Sequence, residues 1–176
     1  MSKTPKINTS IQIGPFSIEV EDILSYFGKT QMSGPFLIIE RESGLALKTP
    51  PRAEMGWQPY LGRAFGSAED MWFFKKKANG SEELIIISAS CGMVLDNACD
   101  NEKEVSLILY KEHGGANQCW RMIQSSDSFG WIIQSSHDDK VLDVGRKPQK
   151  GQGLWLCDKN ENLHQQFLIL PIGKIK

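Results

Sequence analysis

The chain has 176 residues, 40% hydrophobic and 23% charged, with a formal net charge of −1, which is one domain's worth of chain with room for a short appendage. With 16 Gly and 8 Pro it is neither collagen-like nor low-complexity. No apolar run reaches the ~18 residues of a membrane span, and the near-balanced charge leaves no basic footprint for bulk nucleic-acid binding.

The first residues, MSKTPKINTSIQIG, lack the apolar core and small-residue cleavage site of a secretory signal. A cytoplasmic chain, or one exported by an unconventional route, is expected. Residues 1–33 read as an N-terminal extension. Within residues 18–28, Ile18, Val20, Ile23, Leu24 and Phe27 suit one face of a helix that Gly28 would stop. Ile18 and Val20 fit an extended lead-in equally well. The segment is either a strut packed across the domain or a surface for a homodimer or another partner.

From residue 34 onward the chain repeats itself, and repeats are the first thing to seek. FLIIERESGLALK opens at Phe36, LIIISASCGMVLD at Leu84 and WIIQSSHDDKVLD at Trp131. These align without a gap on the leucines Leu47, Leu95 and Leu142, and then on the large aromatics Trp72, Trp120 and Phe167. The units, about 34–80, 82–128 and 129–174, are each ~47 residues long.

Inside each unit the predicted elements are short strands. The apolar, β-branched openings come first, then LAL, MVL and KVLDV, then PYL, SLILY and GLWLC, and last WFF, CWRM and FLIL. ESG, SCG and HDDK fall between the first two strands as turns. Four short strands in each of three units predict an all-β chain, a β-trefoil at 34–176, in which a six-stranded barrel is capped by three hairpins. One unit cannot bury its apolar face alone, whereas three closing on each other can. A propeller is the rival, but three blades are too few for a ring of about four to eight. Trp72, Trp120 and Phe167 are expected in the core. The run Lys75, Lys76, Lys77 reads as a solvated strand end or turn.

The aligned units allow a comparison column by column. After the second-strand leucine stand Lys48, Asp96 and Asp143; two residues before the final aromatic stand Asp70, Gln118 and Gln165; one earlier stand Glu69, Asn117 and His164. The third strand leaves through Gly62, Tyr110 and Cys157, preceded by Tyr60, Ile108 and Trp155. The set Asp96, Tyr110, Asn117 and Gln118 suits a sugar. An ionised Asp accepts from vicinal hydroxyls, an amide both donates and accepts, and an aromatic face covers the apolar side of a pyranose. Gln118 is expected to brace Asp96 rather than touch the sugar.

The Gln-x-Trp pattern, once per unit, resembles that of the ricin-B-type (R-type) lectins, a β-trefoil family. It stands as NQCW at 117–120, as HQQF at 164–167 and, degraded, as EDMW at 69–72. The resemblance spans about residues 34–172 and implies a shallow galactose or N-acetylgalactosamine site in a non-catalytic glycan-binding protein. Carried over by position, it implies binding by Asp96, Tyr110, Asn117 and Gln118, with His113 or Lys111 on the flanking loop. In the third unit it implies Asp143 and Gln165. There His164 stands where Asn is usual, Asn162 is an alternative amide, Cys157 takes the aromatic's place, and Trp155, two residues earlier, is either a sugar contact or turned inward. The first unit, with Lys48, Gly62 and Asp70, is expected to be silent toward ordinary sugars.

A trefoil that binds protein instead of sugar is the alternative function, with the loop around Trp57 as its anchor. Asp96 and Asp143 would then only cap turns. No nucleophile motif, phosphate loop or metal cluster argues for an enzyme, a cofactor or a bound metal. Cys91, Cys99, Cys119 and Cys157 show no CxxC pair and are expected to be free thiols, a Cys91–Cys99 bridge being open only to an oxidising compartment. His113 and His137 are expected in solvated loops.

Overall fold

The computed structural model describes residues 10–13, 16–19, 32–77, 81–98 and 107–172. Two strands lie in the extension, β1 (Ser10–Ile13) and β2 (Phe16–Glu19), paired antiparallel. Ile18 is therefore extended, and the helix expected to begin there does not; residues 20–28 lie outside the described residues. The first unit contains β3 (Met32–Glu40), β4 (Ala46–Lys48), β5 (Tyr60–Gly62) and β6 (Met71–Lys76). The second contains β7 (Leu84–Ser88), β8 (Val94–Asn97), β9 (Leu107–Tyr110) and β10 (Trp120–Gln124). The third contains β11 (Trp131–Ser135), β12 (Val141–Asp143), β13 (Trp155–Cys157) and β14 (Phe167–Pro171).

The first and last strands of each unit form a closed ring. β3 pairs with β6, β6 with β7, β7 with β10, β10 with β11, β11 with β14, and β14 returns to β3. Closure leaves this barrel without an open edge. The inner strands form the hairpins β4–β5, β8–β9 and β12–β13, one per unit. This is the β-trefoil that the repeat predicts.

The core follows from strand alternation. Phe36, Ile38, Trp72, Phe74, Ile86, Trp120, Ile133, Phe167 and Ile169 point into the barrel, while Leu47, Leu61, Leu95, Leu109, Leu142 and Leu156 close it beneath the hairpins. The leucine–tryptophan spacing has a direct cause. The Trp72 indole N–H donates to the Leu47 carbonyl at 2.9 Å, and that of Trp120 to Leu95 at 3.1 Å, each across 25 residues.

The units are also tied by their long loops. Gly56 N–H donates to the Leu109 carbonyl and Leu109 N–H to that of Trp57, both at 2.8 Å. Gly151 and Leu61 repeat the pattern between the third and first units: Gly151 N–H donates to Leu61 O at 2.7 Å and Leu61 N–H to Gln152 O at 2.8 Å. Both glycines hold φ near +90° (89° and 87°), a conformation that side chains disfavour. Just before its last strand, each unit makes one 3-10 turn: Ala68–Asp70, Ala116–Gln118 and Leu163–Gln165. That turn lies against the second strand and sets the candidate sites.

Candidate sugar sites on the second and third hairpins

In β8, Leu95 is committed to the core, so its neighbour Asp96 faces outward under the turn that carries Asn117 and Gln118. Asp96 is buried, and each of its oxygens accepts one hydrogen bond. Its Oδ1 accepts from Asn117 Nδ2 at 2.8 Å and its Oδ2 from Gln118 Nε2 at 2.7 Å. Gln118 is itself fixed. Its Nε2 also donates to Lys111 O at 2.8 Å, and its Oε1 accepts the amides of His113 at 2.7 Å and Gly114 at 3.2 Å. One glutamine thus holds both the carboxylate and the loop beside it, the bracing part expected of it. A carboxylate has about four acceptor positions, so Asp96 keeps capacity for hydroxyl donors.

His113 closes one side. Its Nε2 lies 3.4 Å from Asp96 Oδ2, while its Nδ1 accepts the Gly115 amide at 3.1 Å. With Nδ1 accepting that amide, Nε2 is the nitrogen that bears a proton, facing the carboxylate. Tyr110 meets His113 edge-on, with ring centroids 6.2 Å apart. The residue paired across the ladder from Asp96 is Ile108; Tyr110 pairs with Val94, one step along the same face. Lys111 contributes its carbonyl to Gln118, and its side chain is not joined to Asp96 by any bond among the described residues.

The third unit repeats the scaffold. Gln165 Nε2 donates to Asp143 Oδ2 at 2.7 Å and to Asp158 O at 2.9 Å, and its Oε1 accepts the Asn160 amide at 2.8 Å. Asp143 Oδ1 accepts the Gly145 amide at 2.6 Å. His164 stands in the place of Asn117, with Nδ1 3.4 Å from Asp143 Oδ1 and no hydrogen bond of its own, although that atom is buried. Asn162 is exposed at the start of the turn, and its side chain makes no bond to Asp143 among the described residues. The Cys157 thiol hydrogen-bonds Asp143. Burial first, then the Asp143 charge and that bond, push its pKa up.

Trp155 takes the outward of its two expected placements. It pairs directly with Asp143 across the β12–β13 ladder and is 39% exposed, so it turns outward, beside the carboxylate. The reason is alternation: Leu154 and Leu156 on either side are buried, and their intervening neighbour must face the other way. A Cβ at Gly145 would sit 3.4 Å from the Trp155 ring, which therefore lies over the turn that follows Asp143.

In the first unit Lys48 does not offer its charge to solvent. Its ammonium forms a buried ion pair with Asp70 and donates to Arg63 O at 3.2 Å. Asp70 also accepts the amides of Phe65 and Ser67. Burial alone would raise the Asp70 pKa, but Lys48 and these amides outweigh it and hold it below its usual value. Phe65, 76% exposed, covers the Lys48 ammonium at 5.0 Å.

Trp57 is 45% exposed on its anchored loop, and His113 and His137 are exposed as expected. No pattern in the sequence pointed to Gly145 or Phe65 as parts of these sites, and Cys157 read only as a replaced aromatic. Cys91, Cys119 and Cys157 are free, and Cys99 lies outside the described residues. Among the described residues no helix is long and apolar enough to cross a membrane, and no three His, Cys, Asp or Glu side chains are grouped to hold a metal ion.

A threefold barrel with an Asp–Gln pair on two of its hairpins is the architecture of a lectin-type β-trefoil. Residues 68–155 match the ricin-type beta-trefoil lectin domain-like family, and the chain belongs to that family. Solved structures agree on the fold. A designed 3-fold symmetric protein, ThreeFoil, is 21% identical with a TM-score of 0.70 over 80% of this chain and 100% of its own. The ricin B-like lectin of Macrolepiota procera, solved in complex with lactose, is 16% identical with a TM-score of 0.65 over 81% of this chain and 100% of its own. An exo-beta-1,3-galactanase from Clostridium thermocellum is 20% identical with a TM-score of 0.68 over 80% of this chain; the match spans only 30% of that enzyme. No curated protein matches the chain.

Proposed function

We propose that the chain is a non-catalytic lectin for galactose or N-acetylgalactosamine type sugars, with sites on the second and third hairpins. The observation that carries this reading is the pair of outward carboxylates, Asp96 and Asp143, each held by a glutamine at 2.7 Å. A carboxylate fixed in this way presents its remaining lone pairs in a set direction, and hydrogen bonds to a charged acceptor are the stronger kind, ~1.5–3 kcal/mol. In the second unit the Asn117 amide oxygen would accept from a sugar hydroxyl, with Tyr110 beside it. In the third, Trp155 would cover a pyranose face. Shallow sites of this kind bind on the order of 0.1–1 mM. Avidity would come from two sites per chain, and from self-association through residues 1–33 if light scattering at high concentration finds a dimer.

A glycan array on the wild type, Asp96→Ala and Asp143→Ala tests the reading. Galactose-type signals that fall in one or both variants support it. Their absence from the folded wild type sinks it. The second reading, a protein-binding trefoil, is favoured by the exposure of Met55 and Trp57 on one anchored loop. It predicts capture of a protein that Trp57→Ala abolishes and Asp96→Ala does not.

A further inference from the structure

The three hairpins differ sharply in the charge of the loop that joins their strands. In the third unit that loop, residues 144–153, reads VGRKPQKGQG and carries Arg146, Lys147 and Lys150 with no acidic residue. The corresponding second-unit stretch, residues 97–106, holds Asp100, Glu102 and Glu104 against Lys103 alone. The first unit's, residues 49–58, balances Arg52 with Glu54.

All three third-unit cations are exposed, and none is in an ion pair among the described residues. Unpaired cations on a slack loop would mean little. This loop is braced along its length. Gly145 N–H is on Asp143, Gln149 Nε2 donates to Lys147 O at 3.0 Å, and Gln149 N–H donates to Gln152 Oε1 at 3.0 Å. Gln152 Nε2 returns to Val144 O, and Gly151 N–H crosses to Leu61 O. The loop therefore leaves from the carboxylate of the candidate sugar site and comes back to its aromatic ring, since Trp155 rests over Gly145. Among the three hairpin loops this one alone carries basic residues without an acidic one. Nearby acidic groups are mostly engaged: Asp143 is taken up by Gln165, Gly145 and Cys157, Glu161 is paired with Lys159, and Asp158 is exposed.

We propose that the third-unit site takes anionic saccharides. The neutral ring would lie on Asp143 and Trp155, and an attached carboxylate or sulfate would lie on Arg146, Lys147 and Lys150. A planar guanidinium matches either oxyanion, and lysines add point charge. This proposal rests on the lectin reading above and assigns one of its sites a substrate class. Carboxylated and sulfated sugars share the chemistry, so both are probed.

The experiment is calorimetry of lactose, sialyl-lactose and sulfated lactose against the wild type, Asp96→Ala, Asp143→Ala and the triple variant Arg146→Gln/Lys147→Gln/Lys150→Gln. The anionic ligands should bind the wild type about tenfold more tightly than lactose at ~50 mM salt. The gap should close at ~0.5 M salt, where the Debye length falls to a few ångströms. Asp96→Ala should keep the discrimination, whereas Asp143→Ala and the triple variant should lose it. A gain for one anion alone names the oxyanion. Equal affinity for all three ligands overturns this proposal and leaves the lectin reading intact. So does a preference that survives the triple variant or vanishes in Asp96→Ala. Binding of none of the three, with an empty glycan array, overturns both.

Discussion

Lys48 and Asp70 make in the first unit the bond that Asp96 and Gln118 make in the second, with donor and acceptor exchanged. The exchange is complete. Lys48 Nζ donates to Arg63 O as Gln118 Nε2 donates to Lys111 O, and Asp70 accepts the Phe65 amide as Gln118 Oε1 accepts that of His113. Gly62 belongs to the same change, because a Cβ there would come within 2.6 Å of Lys48 Cδ. Three departures from the repeat are thus one rearrangement. It keeps the loop anchored and removes the acceptor a sugar would need. Lys48→Ala leaves Asp70 charged and buried without its partner, which should cost about 3–5 kcal/mol. Lys48→Asp with Asp70→Gln, a copy of the second unit, should recover most of that loss in urea denaturation.

Acid should find the same pair. Asp70 titrates below its ordinary 3.8 in the folded chain. A depressed carboxylate stabilises the fold fully above its unfolded pKa and loses that contribution as pH falls through the folded one. Urea midpoints taken from pH 7 down to pH 2 should therefore drop below about pH 4. Asp70→Asn should be less stable at pH 7 and show a shallower decline.

The two indole hydrogen bonds invite a direct test. Trp72→Phe and Trp120→Phe each strand a buried leucine carbonyl and should cost about 1–3 kcal/mol. Neither should unfold the protein, since Phe167 already fills the matching place in the third unit without an N–H. Losses indistinguishable from zero would show that the carbonyls find other donors.

Cys157 should alkylate slowly. Burial and the adjacent Asp143 charge both hold its thiol protonated, and the thiolate is the reactive form. Iodoacetamide labelling at pH 8, mapped by mass spectrometry, should speed up in Asp143→Asn. An unchanged rate would mean that burial alone governs the thiol.

His164 fills the place of Asn117 without its hydrogen bond. In an Asp96→Ala background, His164→Asn should restore the amide and tighten the third site's sugar binding several-fold, the value of one ordinary hydrogen bond of ~0.5–1.5 kcal/mol. Weaker binding would mean that the imidazole itself touches the ligand.

Much of this was legible in the sequence. In the first two units the spacing is held by the leucine–tryptophan hydrogen bond, and in the third Phe167 keeps it by filling the same place in the core. The Asp–Gln columns were legible for the same reason, since Gln118 and Gln165 hold both a carboxylate and a loop. What an alignment of columns could not reveal was partnership. Lys48 and Asp70 read as two separate losses until they are seen to meet. The alternation of Leu154 and Leu156 already argues that Trp155 faces outward, a choice that column spacing alone does not make. The loop ties of Gly56 and Gly151 run through backbone atoms, which no residue type announces.

The return of β14 to β3 sets an order of events during synthesis. Phe167 to Pro171 supply the partners of Glu40 to Phe36, and Phe167 also meets Trp131. Until that last strand leaves the ribosome, β3 and β11 each wait with an unfilled side. Such non-local pairings form slowly, and an unpaired strand edge invites the edges of other chains. A chain stalled or cut just before Phe167 should be more prone to aggregate than one lacking a whole unit's hairpin. Quality control that recognises this protein should act on its final strand.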